Sequence, residues 1–243
     1  AYSEVDKKLA DLNGNTAEFR LSEDSAHVEG ISQELANTMF YGNETTAPEE
    51  FTGFAPRFNA TTGNNGENII TGGGAGSDNS SIWLIVWGPN TVHGIVPKGS
   101  SAGIKMEDKG LVTIESQGGV SGARMEAYRT HYMVEAGLTV RDWRYVVRIC
   151  NIDKSLLQYD AASGADLITL MTRAIEMIPN VGMGRPAFYM PRNIKTYLRT
   201  QMVAKVKNST LSMDDVAGRK VMSFDGIPCR RVDQLAADEA LVS

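Results

Sequence analysis

The glycine cluster Gly72-Gly73-Gly74-Ala75-Gly76 is the first place to look for chemistry, because glycine-rich loops fold their amides around phosphates. A phosphate loop also needs Lys followed by Ser or Thr after the last glycine, and a helix whose N-terminus faces the anion. Here Ser77-Asp78-Asn79 follows, and the next residues read as a strand. The stretch Thr71 to Ser77 is therefore read as a flexible connection that can change shape. His27, His93 and His131 have no His, Cys or acidic partner at a metal-ligand spacing, so they read as surface or packing residues. Cys150 and Cys229 lack the local pattern of a catalytic thiol. They are expected to be reduced, unpaired and buried, in strands of different sheets. No Gly-x-Ser-x-Gly elbow is present. The side chains of Glu49-Glu50 and Asp214-Asp215 diverge, which suits a helix start or a solvated loop better than acid–base work. Arg141, Arg144 and Arg148 interleave with Trp143, Tyr145 and Val147. Such a surface can stack on nucleic acid, or serve as a strand edge whose arginines pair with acids of neighbouring subunits. The second reading is favoured, for Arg230-Arg231 as well, because the chain is acidic overall. No catalytic, cofactor-binding or metal-binding residue is predicted, and the chain is not expected to be an enzyme.

The formal charge of −5 disfavours a dedicated nucleic-acid reader, which normally carries a basic face. It is compatible with a protein that encloses nucleic acid, since a weakly acidic wall avoids holding DNA through counterion release. Hydrophobic content of 42% against 22% charge places the chain among globular proteins. The longest apolar run, Ile82 to Trp87, is about a third of a membrane span, and nothing reads as a signal peptide. The first residue is Ala1 rather than Met, and the natural product is expected to extend beyond it.

The elements follow from periodicity. Val5, Leu9 and Leu12 predict a first helix ended by Asn13-Gly14. A second helix runs from Asn15 or Thr16 toward Tyr41, with the stripe Val28, Ile31, Leu35 and Met39 as its dry face and Gly30 as a weak point. A loop-rich stretch spans Asn43 to Ser81. Ile82 to Trp87 is apolar on both faces and predicts a strand covered on both sides. Gly88-Pro89-Asn90-Thr91 is a turn, with Val92 to Val96 as the hairpin partner. Leu111 to Glu115 is a short strand. Alternation from Tyr128 to Val140 predicts one long strand, paired antiparallel with Tyr145 to Ile152 and packed beside the second helix. Ser163-x-x-Asp166 resembles a capping box before the helix carried by Leu167, Leu170, Met171 and Ala174. Ala187 to Met190 reads as a buried strand, and Pro191 as the first residue of a helix. Asp225-Gly226 is a hairpin turn, and Leu241-Val242 a terminal strand.

Several of these segments together resemble the major capsid proteins of tailed bacteriophages. Asn37-Thr38-Met39-Phe40-Tyr41-Gly42-Asn43, followed by Pro48 to Phe54, is similar to the end of that family's spine helix and the glycine-bearing segment after it. Gly184 to Arg192 resembles the strand that ends in Asn-Pro-Arg before a helix, with Met190 in place of Asn. Phe224 to Cys229 resembles a later Gly-Leu-Pro-Val hairpin, and Asp238 to Val242 the strand after it. Trp83 to Lys98 and Arg141 to Asp153 look closest to the capsid proteins of a subset of short-tailed phages.

The resemblance implies an α+β fold of the Hong Kong 97 type, with a peripheral domain carrying the spine helix and an axial domain. The extended loop and N-terminal arm of that fold are expected to lie outside this chain. The long strands come before the Ser163 helix, whereas they come last in the archetype, so a permuted connection is implied. The expected segments are 1–58 (spine helix and start of the peripheral domain), 59–104 (glycine-rich connection and axial strands), 105–153 (long peripheral strands) and 154–243 (axial domain). The implied function is self-assembly as hexamers and pentamers into an icosahedral shell around double-stranded DNA, within the virion, after assembly in the host cytoplasm. The glycine connection and spine helix would flex during maturation. Expected partners are further copies of the chain, a decoration (cement) protein, portal, scaffold and, non-specifically, packaged DNA, but no membrane. The alternative is an encapsulin-type bacterial nanocompartment shell.

Overall fold

Strand by strand, the architecture follows from which segments are dry on both faces and which on one. The computed structural model describes residues 1–12, 14–100, 102–115, 122, 124–158, 164–204, 211–216, 219–236 and 238–243. Strand β1 (Tyr2–Asp6) leads into the single turn of α1 (Lys7–Asp11) and the long helix α2 (Thr16–Tyr41). The short α3 (Phe54–Arg57) precedes β2 (Ile69–Thr71), β3 (Asn79–Trp87) and β4 (Val92–Ile95). Then come β5 (Ile104–Glu115), β6 (Arg124–Val134), β7 (Gly137–Val140) and β8 (Val146–Asp153). Helix α4 (Leu167–Glu176), β9 (Arg185–Met190) and α5 (Arg192–Ala204) are followed by β10 (Leu211–Val216), β11 (Arg219–Phe224) and β12 (Ile227–Arg231). The chain divides into two units, Ala1–Leu35 with Ile95–Gly137, and Ala36–Gly94 with Leu138–Ser243.

The first unit is a three-stranded antiparallel sheet in the order β1-β6-β5, with the first part of α2. The helix predicted from Val5, Leu9 and Leu12 is replaced by a strand and one helical turn. Cross-strand pairing overrides the helical spacing: Tyr2 stands opposite His131 and stacks on its ring, and Glu4 stands opposite Arg129 and pairs with it at 2.5 Å. Ser3 and Val5 point inward, while Leu9 and Leu12 are exposed. Arg20 of α2 grips Asp108 at 2.8 and 3.3 Å, donates to Thr130 at 3.1 Å and lies over the Tyr128 ring at 4.9 Å. The Tyr132 hydroxyl donates to Asp24 at 2.9 Å. The guanidinium holds the Asp108 carboxyl below its usual range. The stripe Val28, Ile31, Leu35 and Met39 is only half-buried in the single chain.

The second unit is a sheet in the order β10-β11-β12-β9-β3-β4-β7, with β8 pairing β3 and β2. Strand β3 is buried from Asn79 to Val86, as its doubly apolar sequence predicts. Ile82, Leu84 and Val86 join Val147, Ile149, Phe188 and Met190 under Leu167, Met171, Ile194 and Leu198 of α4 and α5. The alternate residues Trp83 and Ile85 join Phe40, Phe54, Phe58, Val146 and Leu235 on the other face. Asp225 and Gly226 both have positive φ, at 51° and 74°, and close the tight β11–β12 hairpin.

Several expectations are corrected here. The alternation from Tyr128 to Val140 is two strands, because a period of two does not register a change of sheet: β6 pairs β1 and β5, and β7 belongs to the other sheet. Residues Tyr145 to Ile152 do not pair with β6. Strand β8 pairs β3 antiparallel and β2 parallel. Val92 is a parallel neighbour of Trp87 rather than a hairpin partner. Asp166 itself caps α4 by accepting from the Thr169 amide, and Ser163 lies outside the described residues. Leu241-Val242 forms no strand, and the C-terminal segment instead makes a single bridge between Glu239 and Asn79. Cys150 and Cys229 lie in β8 and β12 of one sheet.

The glycine run is not a hinge. The Gly72 amide donates to Cys150 O at 2.7 Å and the Gly74 amide to Asn151 O at 2.8 Å. A Cβ on Gly74 would sit 2.7 Å from Asn151 O and from the Asp153 amide nitrogen. These glycines let one backbone lie against another, and the two amides that a phosphate would need are taken. Gly30 of α2, by contrast, faces open space. Gly30→Ala is expected to raise stability by about 0.5–1 kcal/mol in thermal unfolding. Gly74→Ala is expected to lower it by about 1–3 kcal/mol through overpacking. Equal effects at the two sites would contradict the packed reading of the glycine run.

Candidate functional site

The densest buried polar constellation stands in the second unit, around Arg148. Strand β8 places this residue among Val146, Val147, Ile149 and Cys150, all fully buried. Its neighbour across the β3–β8 ladder is Trp83, and the guanidinium lies 5.0 Å from that ring. Burying a cation there is costly unless every donor is used. Arg148 Nη2 pairs with Glu239 Oε2 at 2.7 Å, Nη1 donates to Phe58 O at 2.7 Å, and Nε donates to Ser81 Oγ at 3.1 Å. The Ser81 hydroxyl in turn donates to Glu239. The Tyr41 hydroxyl donates to Glu239 Oε1 at 2.5 Å and accepts from the Ala236 amide at 2.8 Å. Burial, and then the Glu239 carboxylate, push the Tyr41 phenol far above its ordinary value, so it stays neutral and donating.

Five segments meet at this point: the end of α2, the end of α3, β3, β8 and the C-terminal segment. A second clamp lies nearby in sequence. Asn151, at φ 54°, donates to Val242 O at 2.8 Å and accepts from its amide at 3.0 Å. At the end of α2, the Gly42 amide donates to Thr38 O, and the Gly53 amide to Gly42 O at 2.8 Å. A Cβ on Gly42 would lie 2.5 Å from Phe51 O, which explains the glycine between Tyr41 and Asn43. Ser81, Arg148 and Glu239 are all buried, so the arrangement has no access for a substrate. What it does is tie chain segments together.

The other sequence candidates are placed apart from one another. His27 is exposed, His93 is half-buried with Nδ1 lacking a partner, and His131 stacks on Tyr2 at 4.4 Å. Arg141 donates to Pro89 O at 3.0 Å, and Arg144 pairs with Asp142 at 2.8 Å. Of these arginines, Arg148 is committed inside the chain, while Arg141 and Arg144 make exposed local contacts. Arg231 pairs with Asp233 at 3.2 Å. Glu49 is exposed on a loop, and Asp214-Asp215 lie in β10. Among the described residues, no group of three or more His, Cys, Asp or Glu is placed to hold a metal, and no helix is long and apolar enough to cross a membrane. Sequence reading missed Glu239, Tyr41 and Ser81. The available signal was Arg148 itself, a charge in the middle of an apolar strand that requires an acid from elsewhere.

Both cysteines are free and buried. Burial pushes the Cys150 thiol up to about 11 and the Cys229 thiol up to about 12. Both values lie above an unfolded thiol's roughly 8.5. Their contribution to stability is therefore complete below that pH and is lost as pH rises through the folded values. Alkylation at neutral pH should find two thiols per chain in denaturant and neither reacting rapidly in the folded protein. Rapid labelling of the native chain would contradict this placement.

Over residues 1–243 the chain matches the family model described as major capsid protein GP7. Among solved structures it is similar to a chain in a near-atomic cryo-EM structure of bacteriophage epsilon15. The two are 34% identical with a TM-score of 0.70, over 100% of this chain and 73% of that one. No curated protein matches.

Proposed function

Because this chain belongs to the major capsid protein GP7 family, we propose that its copies pack quasi-equivalently as hexamers and pentamers around double-stranded DNA. It is a structural protein of the bacteriophage virion, and its family role implies an icosahedral shell of oligomers. The finer reading adds a non-enzymatic role and assembly in the host cytoplasm. It also adds contacts with scaffold, portal and a decoration protein. Helix α2 acts as the spine of a peripheral domain, and residues 154–243, with α4 and α5, form most of an axial domain in a Hong Kong 97 type fold.

The observation that carries the assembly reading is where apolar surface is left open. Among the described residues, most exposed large apolar side chains fall in the first unit, including Tyr2, Leu9, Leu12, Leu21, Met106 and Leu111. Unpartnered apolar surface on this scale fits a face covered by neighbouring copies. A stable isolated contact needs roughly 1,000 Å² or more, but many weaker contacts sum in a closed lattice. Electron microscopy of the purified full-length product should reveal closed particles filled with DNA. Failure to form closed shells would overturn the reading, and shells that are empty or loaded with enzyme would favour a storage compartment.

A further inference from the structure

We propose that the groove between the first two turns of α5 and strand β12 is a phosphate-binding surface for the backbone of packaged duplex DNA. This rests on the capsid reading above and names the residues that would touch the DNA. Arg192, Lys195, Thr196, Arg199 and Arg231 line an open groove of about 340 Å³ within the second unit. Arg192, Lys195 and Arg199 follow one another at spacings of three and four on one side of α5. Arg231 joins them from β12.

The arrangement works against helix stability. A helix N-terminus carries the positive end of the backbone dipole and favours acids. The first turn of α5 holds no acid, and Arg192 opens it. Like charges three and four residues apart add repulsion. Asp233 offsets part of this, reaching Arg192 at 3.1 Å and Arg231 at 3.2 Å. Arg199 has no acidic partner among the described residues. Lys195 donates to Cys229 O at 2.8 Å. Burial, with Arg231 and Arg199 adding, holds its ammonium below the usual lysine value. A chain with a formal charge of −5 thus concentrates cations at the positive pole of a helix, where a bound anion would relieve the repulsion that Asp233 leaves.

Phosphate suits the groove better than a single carboxylate. Arg192 and Arg231 keep more than half of their side chains exposed, and guanidinium forks match phosphate oxygens. From Arg192 to Arg199 the helix rises about 10 Å. One strand of a duplex presents a phosphate about every 3.4 Å along the axis, so about two or three phosphates face that length. A few contacts per copy give weak, sequence-independent, salt-sensitive binding, which holds packed DNA without trapping it.

The test is binding of the purified full chain to a short fluorescent duplex of random sequence across a NaCl series. Arg192→Gln/Arg199→Gln is compared with Arg173→Gln on α4, an exposed arginine that does not line the groove. The double variant should weaken binding and reduce the log–log salt slope by about two, one for each lost phosphate contact. Arg173→Gln should leave the slope unchanged. No detectable binding by the parent chain, an unchanged slope in the double variant, or an equal loss in Arg173→Gln would overturn the proposal. So would binding of polyglutamate, but not of DNA, that depends on Arg192 and Arg199, since the groove would then dock a protein. Electron microscopy separates the two readings. Closed DNA-filled particles together with an unchanged slope would remove only the groove, whereas no closed particles from the parent chain would remove the capsid reading itself.

Discussion

A guanidinium buried in the middle of a sheet must be neutralised where it sits, and the second unit is organised around that requirement. Removing Arg148 from water costs several kcal/mol even after the surroundings relax. Both Arg148 and Glu239 keep only 4% of their side-chain surface exposed, so each depends on the other. Arg148 is fixed by β8 and by the Trp83 ring, while Glu239 lies in a segment without regular structure of its own. The ion pair therefore draws the C-terminal segment across the sheet. Ser81, Tyr41 and Phe58 O use up the remaining donors and acceptors and bring in β3 and the ends of α2 and α3. Buried ion pairs are weak sources of net stability, but removing one partner is strongly destabilising because it leaves a buried charge uncompensated.

Much of the fold was legible because local and tertiary preferences agreed there. The boundaries of α2, the buried strand β3, the helix of Leu167 to Ala174 and the Asp225-Gly226 turn all follow from periodicity or turn chemistry. Where they disagreed, the sequence misled. Val5 and Leu9 have helical spacing, yet β1 forms because Tyr2 and Glu4 find His131 and Arg129 across the ladder. Alternation through Val140 hid a change of sheet at Gly137. The glycine run looked flexible because composition does not reveal that β8 lies against it. The site was not legible: Arg148 was grouped with Arg141 and Arg144 as a strand-edge arginine, and its acid lies 91 residues away, where no spacing rule reaches.

The two units differ in how completely they close on themselves. The second has both faces of its sheet covered and its buried Arg148 and Glu239 paired. The first is a thin sheet with part of one helix, rich in open apolar side chains and held by Arg20 with Asp108 and Tyr132 with Asp24. A shell protein needs both kinds of surface. A closed unit keeps its shape through many non-identical environments, and an open one gains its remaining burial from neighbours.

The central claim is that Arg148 and Glu239 act as one unit on which the second unit's chain segments converge. A double-mutant cycle with Arg148→Met and Glu239→Leu, read by urea unfolding of the unassembled chain, tests it most directly. Each single change should cost about 3–5 kcal/mol, because it leaves a buried charge alone. The double change should cost less than the sum by about 2 kcal/mol or more, because it removes both charges together. Additive losses, or single losses below about 1 kcal/mol, would contradict the account.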